Sequence, residues 1–457
     1  MNTNTKSWQR LFMRAHRTLM ARVTMREIYS TKSYAILFVS VMLIGVLIFS
    51  IAVWSSMNAK ITIGTTGTLG SSVYANSGTI DDIQAAVDAV VAAGGGTVYI
   101  PEGDWYDSYS TGRHVTSYGG VNLIGAGSDK TRLFMSQSAS ENVRMFYIYG
   151  QNAKPFRVSG IGFYGYDDAY MYAGIYIQSG KDFRIDHCYF THMGEFGIKV
   201  ARENYPNSVL CGVIDHCEFV EMTKETIIVH DISYGVAAVS SDNTPLEESR
   251  WGTIDDYLGK YTDMTIFLED NNFSVCRHAI VGWKGIHYVA RFNTFTNYPT
   301  TLVRYQIGAC DVHGAYTSGP LSGRCSEVYN NTFLNPDTNP YYNTNPYGAG
   351  TLGWERARAW QMRGGGGVFF NNEINDMHYA VWFVDTESAG NNVYPQCIPN
   401  DIWIWDNIMY ESHGYPTSLV INDYSDEVVL DTNYYLFQKS GYTPYPYPHP
   451  LTLEESP

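Results

Sequence analysis

Residues 277–363 concentrate side chains able to move protons and hold anions: Arg277, His278, Lys284, His287, Arg291, Arg304, Asp311, His313, Arg324, Glu355, Arg356, Arg358 and Arg363. Within this stretch, Ala309-Cys310-Asp311-Val312-His313-Gly314 sets an Asp two residues before a His, next to Gly. The carboxylate can orient the imidazole and the Gly leaves access, which a general acid or base needs. Arg304 lies in one strand-like run, TLVRYQI, and Arg363 ends another, AWQMR. Two Arg on one face clamp a carboxylate or sulfate bidentately. In lyase chemistry a base removes the proton alpha to a uronate carboxylate while a cation stabilises the enolate-like transition state. Asp311, His313, Arg304 and Arg363 are therefore the candidate catalytic residues. Arg291, His278 and Lys284 are candidate substrate-binding cations, with Tyr342 and Trp354 from an aromatic loop as a wall on which sugar rings stack. Against this stands the plainer reading that His and Arg on a repetitive surface are solvated or packed over their neighbours.

Elements that could position these groups come from an internal repeat. An eight-residue pattern recurs as FRVSGIGF (156–163), FRIDHCYF (183–190), GVIDHCEF (212–219) and IFLEDNNF (266–273), then YVARFNTF (288–295), SEVYNNTF (326–333), GVFFNNEI (367–374) and IWIWDNIM (402–409). A second strand-like run follows most copies: GIYIQS (174–179), FGIKV (196–200), TIIVH (226–230), HAIVGW (278–283), TLVRYQI (301–307), AWQMR (359–363), YAVWFV (379–384) and TSLVIN (417–422). Two strands and their turns make one coil of a solenoid. The closest pair of copies, ending at Phe273 and Phe295, is about one bare coil apart, so longer spacings carry loops, chiefly 231–265, 335–357 and 385–400. Two residues before each terminal apolar residue stand Cys188, Cys217, Asn271, Asn293, Asn331, Asn372 and Asn407. Stacked coils bring equivalent positions roughly 4.8 Å apart. Asn amides there can hydrogen-bond along the stack, and Asn tolerates the left-handed backbone of a corner. Asp186-His187-Cys188 and Asp215-His216-Cys217 have the look of a repeated metal site, but repetition at one coil position points to stacking.

Ahead of the repeats, Thr79 to Tyr106 (TIDDIQAAVDAVVAAGGGTVYIPEGDWY) reads as an amphipathic helix with Ile80, Ile83, Val87, Val90 and Val91 on one side, a glycine triplet, and the buried strand Thr97–Ile100. This layout resembles the N-terminal cap of right-handed parallel β-helices of the pectin-lyase-like superfamily. The resemblance covers about residues 79–438 and implies an all-β fold: a right-handed single-stranded parallel β-helix with an N-terminal capping helix, which shields the unpaired backbone of the first coil. The superfamily includes pectate lyases, polygalacturonases, uronan epimerases, phage tailspikes and surface adhesins, so the implied partner is a long glycan. The Asp-His segments are similar to the Ile-Asp-His segment of pectate lyases. The polygalacturonase set (Asn-Thr-Asp, Asp-Asp, Gly-His-Gly, Arg-Ile-Lys) is not present in order, and no pectate-lyase Ca²⁺ carboxylate cluster can be placed, so no catalytic residue transfers by motif. Two functions follow as expectations: a polysaccharide lyase, glycoside hydrolase or epimerase of acidic glycans, or a non-catalytic glycan-binding or structural surface protein, adhesin-like or tailspike-like.

Tyr34 to Trp54 carry no charge, enough for a transmembrane signal-anchor helix. Lys6, Arg10, Arg14, Arg17, Arg22, Arg26 and Lys32 precede it against Glu27 alone, which predicts a cytoplasmic N-terminus and an extracellular remainder at the cell membrane. Residues 1–33 form a basic amphipathic segment, 55–78 a linker, 79–438 the solenoid and 439–457 a Pro/Tyr-rich tail, extended or laid along the last coils. The chain's net charge is −15, of which the first 34 residues hold +6, leaving −21 beyond them. That disfavours a nucleic-acid partner, and it repels polyuronates unless Ca²⁺ or a local basic groove intervenes. Ca²⁺ is the only cofactor this reading leaves open. The seven cysteines form no CxxC motif. Cys188 and Cys217 stack at a disulfide-compatible spacing, and Cys310 and Cys325 flank a loop they could staple.

Overall fold

The computed structural model describes residues 70–110, 112–136, 143–150, 153–165, 171–194, 196–202, 209–222, 234–240, 252–276, 278–283, 285–296, 309–312, 322–334, 358–377, 379–384, 398–411, 418–422 and 428–453. The expected membrane span and its basic lead lie outside these. Among the described residues no helix is long and apolar enough to cross a membrane.

Three parallel sheets run the length of the solenoid, with 12, 10 and 10 described strands. Each coil adds one strand to each sheet, so the chain is a parallel β-helix. The repeat contains two of these strands, not one. Phe183–Asp186 lies in the first sheet and Tyr189–Thr191 in the second, and the same break recurs in every copy. At the break sits a residue with left-handed backbone: His187, His216, Asp270, Phe292, Asn330, Asn371 and Asp406, with φ of 51, 51, 58, 57, 57, 51 and 51°. The left-handed position is therefore one residue before the ladder Asn, which itself turns inward.

The ladder forms as the spacing predicts. Oδ1 of Asn293 accepts both the backbone N–H and the side-chain Nδ2–H of Asn271, each at 3.0 Å. Asn331 does the same for Asn293 at 2.9 and 3.1 Å, Asn372 for Asn331 at 3.0 and 3.1 Å, and Asn407 for Asn372 at 3.0 Å. Cys217 N–H donates to Asn271 Oδ1. Beside the ladder, the terminal Phe of each repeat stacks on the next. Centroids from Phe163 through Phe190, Phe219, Phe273 and Phe295 to Phe333 are 4.8–5.1 Å apart, with planes within 8°. The helix Ile80–Ala92 buries Ile80, Ile83, Ala86, Val87 and Val90 in the same core as Val98 and Val115 of the first coil.

Two third-sheet strands differ from the expected runs. Tyr234–Ser240, not TIIVH, fills the rung between Phe196–Arg202 and His278–Trp283. Cys310–Val312, not TLVRYQI, fills the next. The proposed disulfides are absent. Cys188, Cys211, Cys217, Cys276, Cys310 and Cys325 are buried free thiols. Cys188 and Cys217 do stack, but each thiol donates to a carbonyl oxygen of its own corner, at 3.3 and 3.4 Å. Cys310 and Cys325 belong to different sheets. Cys397 lies outside the described residues.

The outer face of the first sheet carries an ionic column under the C-terminal tail. Arg157 bonds Asp186 at 2.6 Å, Arg184 bonds Asp215 at 2.8 Å, and Arg291 bonds Glu269 at 2.7 Å. Burial alone would raise the Asp186 pKa. Hydrogen bonds from Arg157 and His187 and the charge of Arg184 outweigh it, holding the carboxyl well below the usual range. The tail does more than lie along the last coils. It straps back across this face from Tyr442, which donates to Glu327, to Thr452, whose carbonyl oxygen accepts from Arg184 at 3.3 Å. Between them Arg291 donates to the carbonyl oxygens of Tyr445 and Pro446 at 2.6 and 2.9 Å. Tyr447 stacks on Phe292 with centroids 3.7 Å apart, and His449 N–H donates to Glu269.

Asn331→Ala removes the acceptor of the Asn293 backbone N–H and one acceptor of its Nδ2, and takes a donor from the Ala290 and Tyr329 carbonyl oxygens and from Asn372 Oδ1. At roughly 1–3 kcal/mol per buried unsatisfied group, it should cost at least about 3 kcal/mol in denaturant unfolding. A cost under about 1 kcal/mol would show the ladder to be energetically idle. A second prediction concerns the strap. Burial, with the charge of Arg291, lowers the His449 pKa to about 4. The unfolded imidazole, with a pKa near 6.5, then binds a proton that the native one does not, so stability falls as pH drops from about 6.5 to about 4. His449→Gln should flatten that slope by up to about 3 kcal/mol in urea melts at pH 7 and pH 4.5. The same slope in both proteins would contradict the assignment.

Candidate functional site

Along the third sheet one outward row runs Tyr147, Tyr176, Lys199, Ala237, Val281, Asp311, Gln361, Trp382 and Ile421, each in register with the next. The alternate residues Phe146, Ile175, Ile198, Ile280, Cys310, Trp360 and Val381 belong to the core. Period-two alternation thus puts Asp311 and Gln361 side by side on adjacent coils, facing away from the core.

Asp311 and Gln361 are both fully buried although they face outward. Arg363 Nε lies 3.9 Å from Asp311 Oδ1, its position fixed by its own N–H, which donates to the Val312 carbonyl oxygen at 3.1 Å. Neither Oε1 nor Nε2 of Gln361 has a hydrogen-bond partner among the described residues. Arg358, also buried, lies 3.2 Å from the centroid of the Trp382 ring and 5.7 Å from that of Tyr379. His278 is 1% exposed and shares a rung line with Tyr234 and Phe196 at the start of the same sheet's strands. Nearer the N-terminal end, Arg144 lies 4.2 and 5.1 Å from the Tyr147 and Tyr176 ring centroids, and Lys199 lies 5.6 Å from that of Tyr176. Tyr147 OH donates to Gln178 Oε1 at 2.5 Å. One face thus offers cations at both ends, a carboxylate, an amide and aromatic rings. Shielded from water, such groups act more strongly on a bound anion or proton than they would in solvent.

The structure brings Asp311 and Arg363 together on this face, while His278 lies at the start of the strand whose Val281 is in register with Asp311. Arg291 is elsewhere. It lies on the first sheet, where its donors are already taken up by Glu269, Tyr329 and the carbonyl oxygens of Tyr445 and Pro446 in the strap. His313, Arg304, Lys284, Tyr342 and Trp354 lie outside the described residues. Gln361, Trp382, Arg144 and the Tyr147–Tyr176 pair were missed as site residues. The alternation in Arg358–Arg363, where Trp360 and Met362 interleave with Gln361 and Arg363, was the available signal. On the second sheet Tyr106, Phe134 and Tyr164 stack at 4.6 and 4.4 Å with planes within 22°, each ring packed on its neighbour in the next coil.

A second cluster sits at the corner between the first and second sheets. His187 Nδ1 is 2.7 Å from Asp186 Oδ2, and His216 Nδ1 is 2.9 Å from Asp215 Oδ2. The rings stack with centroids 5.0 Å apart and 7° between planes. The hydrogen bond to Asp215 raises the His216 pKa. No group of three or more His, Cys, Asp or Glu among the described residues is arranged to hold a metal ion.

No family model and no curated protein matches the chain. Among solved structures it is similar to an alginate lyase from Paenibacillus sp. str. FPU-7, at 13% identity and a TM-score of 0.44, over 76% of this chain and 99% of that one. It is also similar to the A-module of a mannuronan C-5 epimerase from Azotobacter vinelandii, at 16% identity and a TM-score of 0.40, over 77% and 95% of the two chains. A tailspike from Acinetobacter baumannii bacteriophage Fri1, a capsular polysaccharide depolymerase, matches at 13% identity and a TM-score of 0.39, over 77% of this chain and 60% of that one. The three parallel sheets give this chain a parallel β-helix fold.

The unpartnered amide makes a prediction. Gln361→Met keeps volume and removes two buried unsatisfied groups, so it should raise stability by about 1–3 kcal/mol. A fall in Tm would show that the amide is satisfied in the native state.

Proposed function

We propose that this protein acts on polysaccharide, holding an acidic glycan along the outer face of the third sheet. The observation that carries the reading is the buried, outward-facing Gln361 amide, without a hydrogen-bond partner among the described residues, beside Asp311 and Arg363. A folded chain gains nothing in stability from burying such groups on the outside of its own sheet. A ligand hydroxyl would satisfy the Gln361 amide, and a ligand carboxylate would suit Arg363. Lys199 and Asp311 are three rungs apart in the row, roughly 14 Å at about 4.8 Å per coil, a length that suits a short run of sugars.

In this reading Arg363, with Arg358 beyond it, receives the sugar carboxylate, and Gln361 fixes a hydroxyl. Asp311 is the general acid or base, and His313, two residues on, is its partner in proton transfer. For elimination, the proton alpha to the uronate carboxylate passes to the base and the electron pair forms the new C=C bond. The glycosidic C–O bond breaks, and its oxygen leaves protonated. For hydrolysis or epimerisation the same groups would serve with water or with return of the proton. The reading keeps residues 34–54 as a single-pass anchor and the solenoid outside the cell, on the charge asymmetry alone.

The test uses the full-length chain on a panel of acidic and neutral polysaccharides, following absorbance near 235 nm and reducing ends together. Lyase activity raises both signals; hydrolysis raises reducing ends alone. Asp311→Asn should lower turnover at least about 100-fold, the scale of one general acid–base group, while leaving retention on the polysaccharide column. Silence in both channels for the wild type, with saturable retention and no epimerised product by NMR, would instead establish the non-catalytic binding protein. Turnover unchanged in Asp311→Asn would remove this face from the chemistry.

A further inference from the structure

The stacked imidazoles of His187 and His216 are used by neither the strap nor the third-sheet face. Each Nδ1 bonds a carboxylate, which can only accept, so Nδ1 carries the proton and Nε2 keeps its lone pair. Those carboxylates are fixed in place: Asp186 by Arg157 and Ser159, and Asp215 by Arg184. Neither Nε2 has a partner among the described residues, and the side chains are 57% and 49% exposed. Both corners have φ of 51° and occupy the same position in adjacent coils, so the two lone pairs leave the surface on the same side. Orientation of a ligating imidazole by a carboxylate on its other nitrogen is the arrangement that metal sites use to fix tautomer and raise basicity.

We propose that His187 and His216 together bind a late first-row divalent cation through their two Nε2 atoms, with water completing the shell. Metal–nitrogen bonds of about 2.1 Å require the two nitrogens to approach within roughly 4 Å. Half-exposed rings can tilt that far from a 5.0 Å stack. Cys188 and Cys217 point into the core and contribute nothing. Asp186 and Asp215 stay with their arginines. The ligands are therefore two imidazoles rather than the Asp-His-Cys triplets that the sequence displays. Imidazole ligands and the Irving–Williams order favour Cu²⁺, with Ni²⁺ and Zn²⁺ weaker.

Titration of the full-length chain with Cu²⁺, followed by calorimetry and electron paramagnetic resonance, tests this directly. One copper per chain is expected at this site, with hyperfine structure from two equivalent nitrogens. His187→Gln and His216→Gln should each weaken binding at least tenfold, and Asp311→Asn should leave it unchanged. Copper binding that is absent, or unaltered in both His variants, overturns the proposal. A measurement on the wild-type chain removes dependence on how the variants fold. One equivalent of Cu²⁺ should protect both His187 and His216 from diethyl pyrocarbonate, read by mass spectrometry; equal modification with and without copper overturns the proposal as well. The outcome is independent of whether the third-sheet face turns over a glycan.

Discussion

Backbone pairing between successive coils is the constraint on which the rest of this structure depends. Hydrogen bonds along the solenoid axis set a repeat of about 4.8 Å, and every side chain must meet its own equivalent at that distance. Phe on Phe satisfies this by stacking. Asn on Asn satisfies it because one amide can donate upward and accept from below. Charges satisfy it only when the sign alternates or the row is offset, as where Arg157 reaches Asp186 and Arg184 reaches Asp215 one coil on.

The same constraint separates structural polar groups from candidate functional ones. On the first sheet the ionic column is complete, and the carbonyl groups of the C-terminal strap take up the remaining donors of Arg184 and Arg291. On the second sheet the aromatic column closes on itself. The third sheet differs. It carries a cation at either end, Arg144 and Arg363, and a buried amide with no partner among the described residues. A column that does not complete itself is where an outside molecule is needed.

Much of this was legible in the chain because a coil repeat writes its geometry into spacing. The capping helix, the ladder asparagines and six of the third-sheet strands fall where the pattern puts them. Tyr234–Ser240 and Cys310–Val312 do not, since small or mixed residues there give no stronger alternation than TIIVH or TLVRYQI nearby. The corner was misplaced by one residue because either of two adjacent asparagines, as at Asn330-Asn331, can take left-handed backbone. Arg291 was misread because its partners at Tyr445 and Pro446 lie 154 and 155 residues away, and local sequence carries no trace of them. Asp311 and Arg363 meet because residues on neighbouring coils come together wherever the loops between them run.

Hydrogen–deuterium exchange of the full-length chain, with and without an excess of an acidic polysaccharide, addresses the central claim most directly. Engagement of the third-sheet face predicts slowed exchange at residues 309–312 and 358–363, with the strap at 442–452 unchanged. Slowing confined to the second sheet around Tyr106 and Phe134, or to the strap, would contradict it.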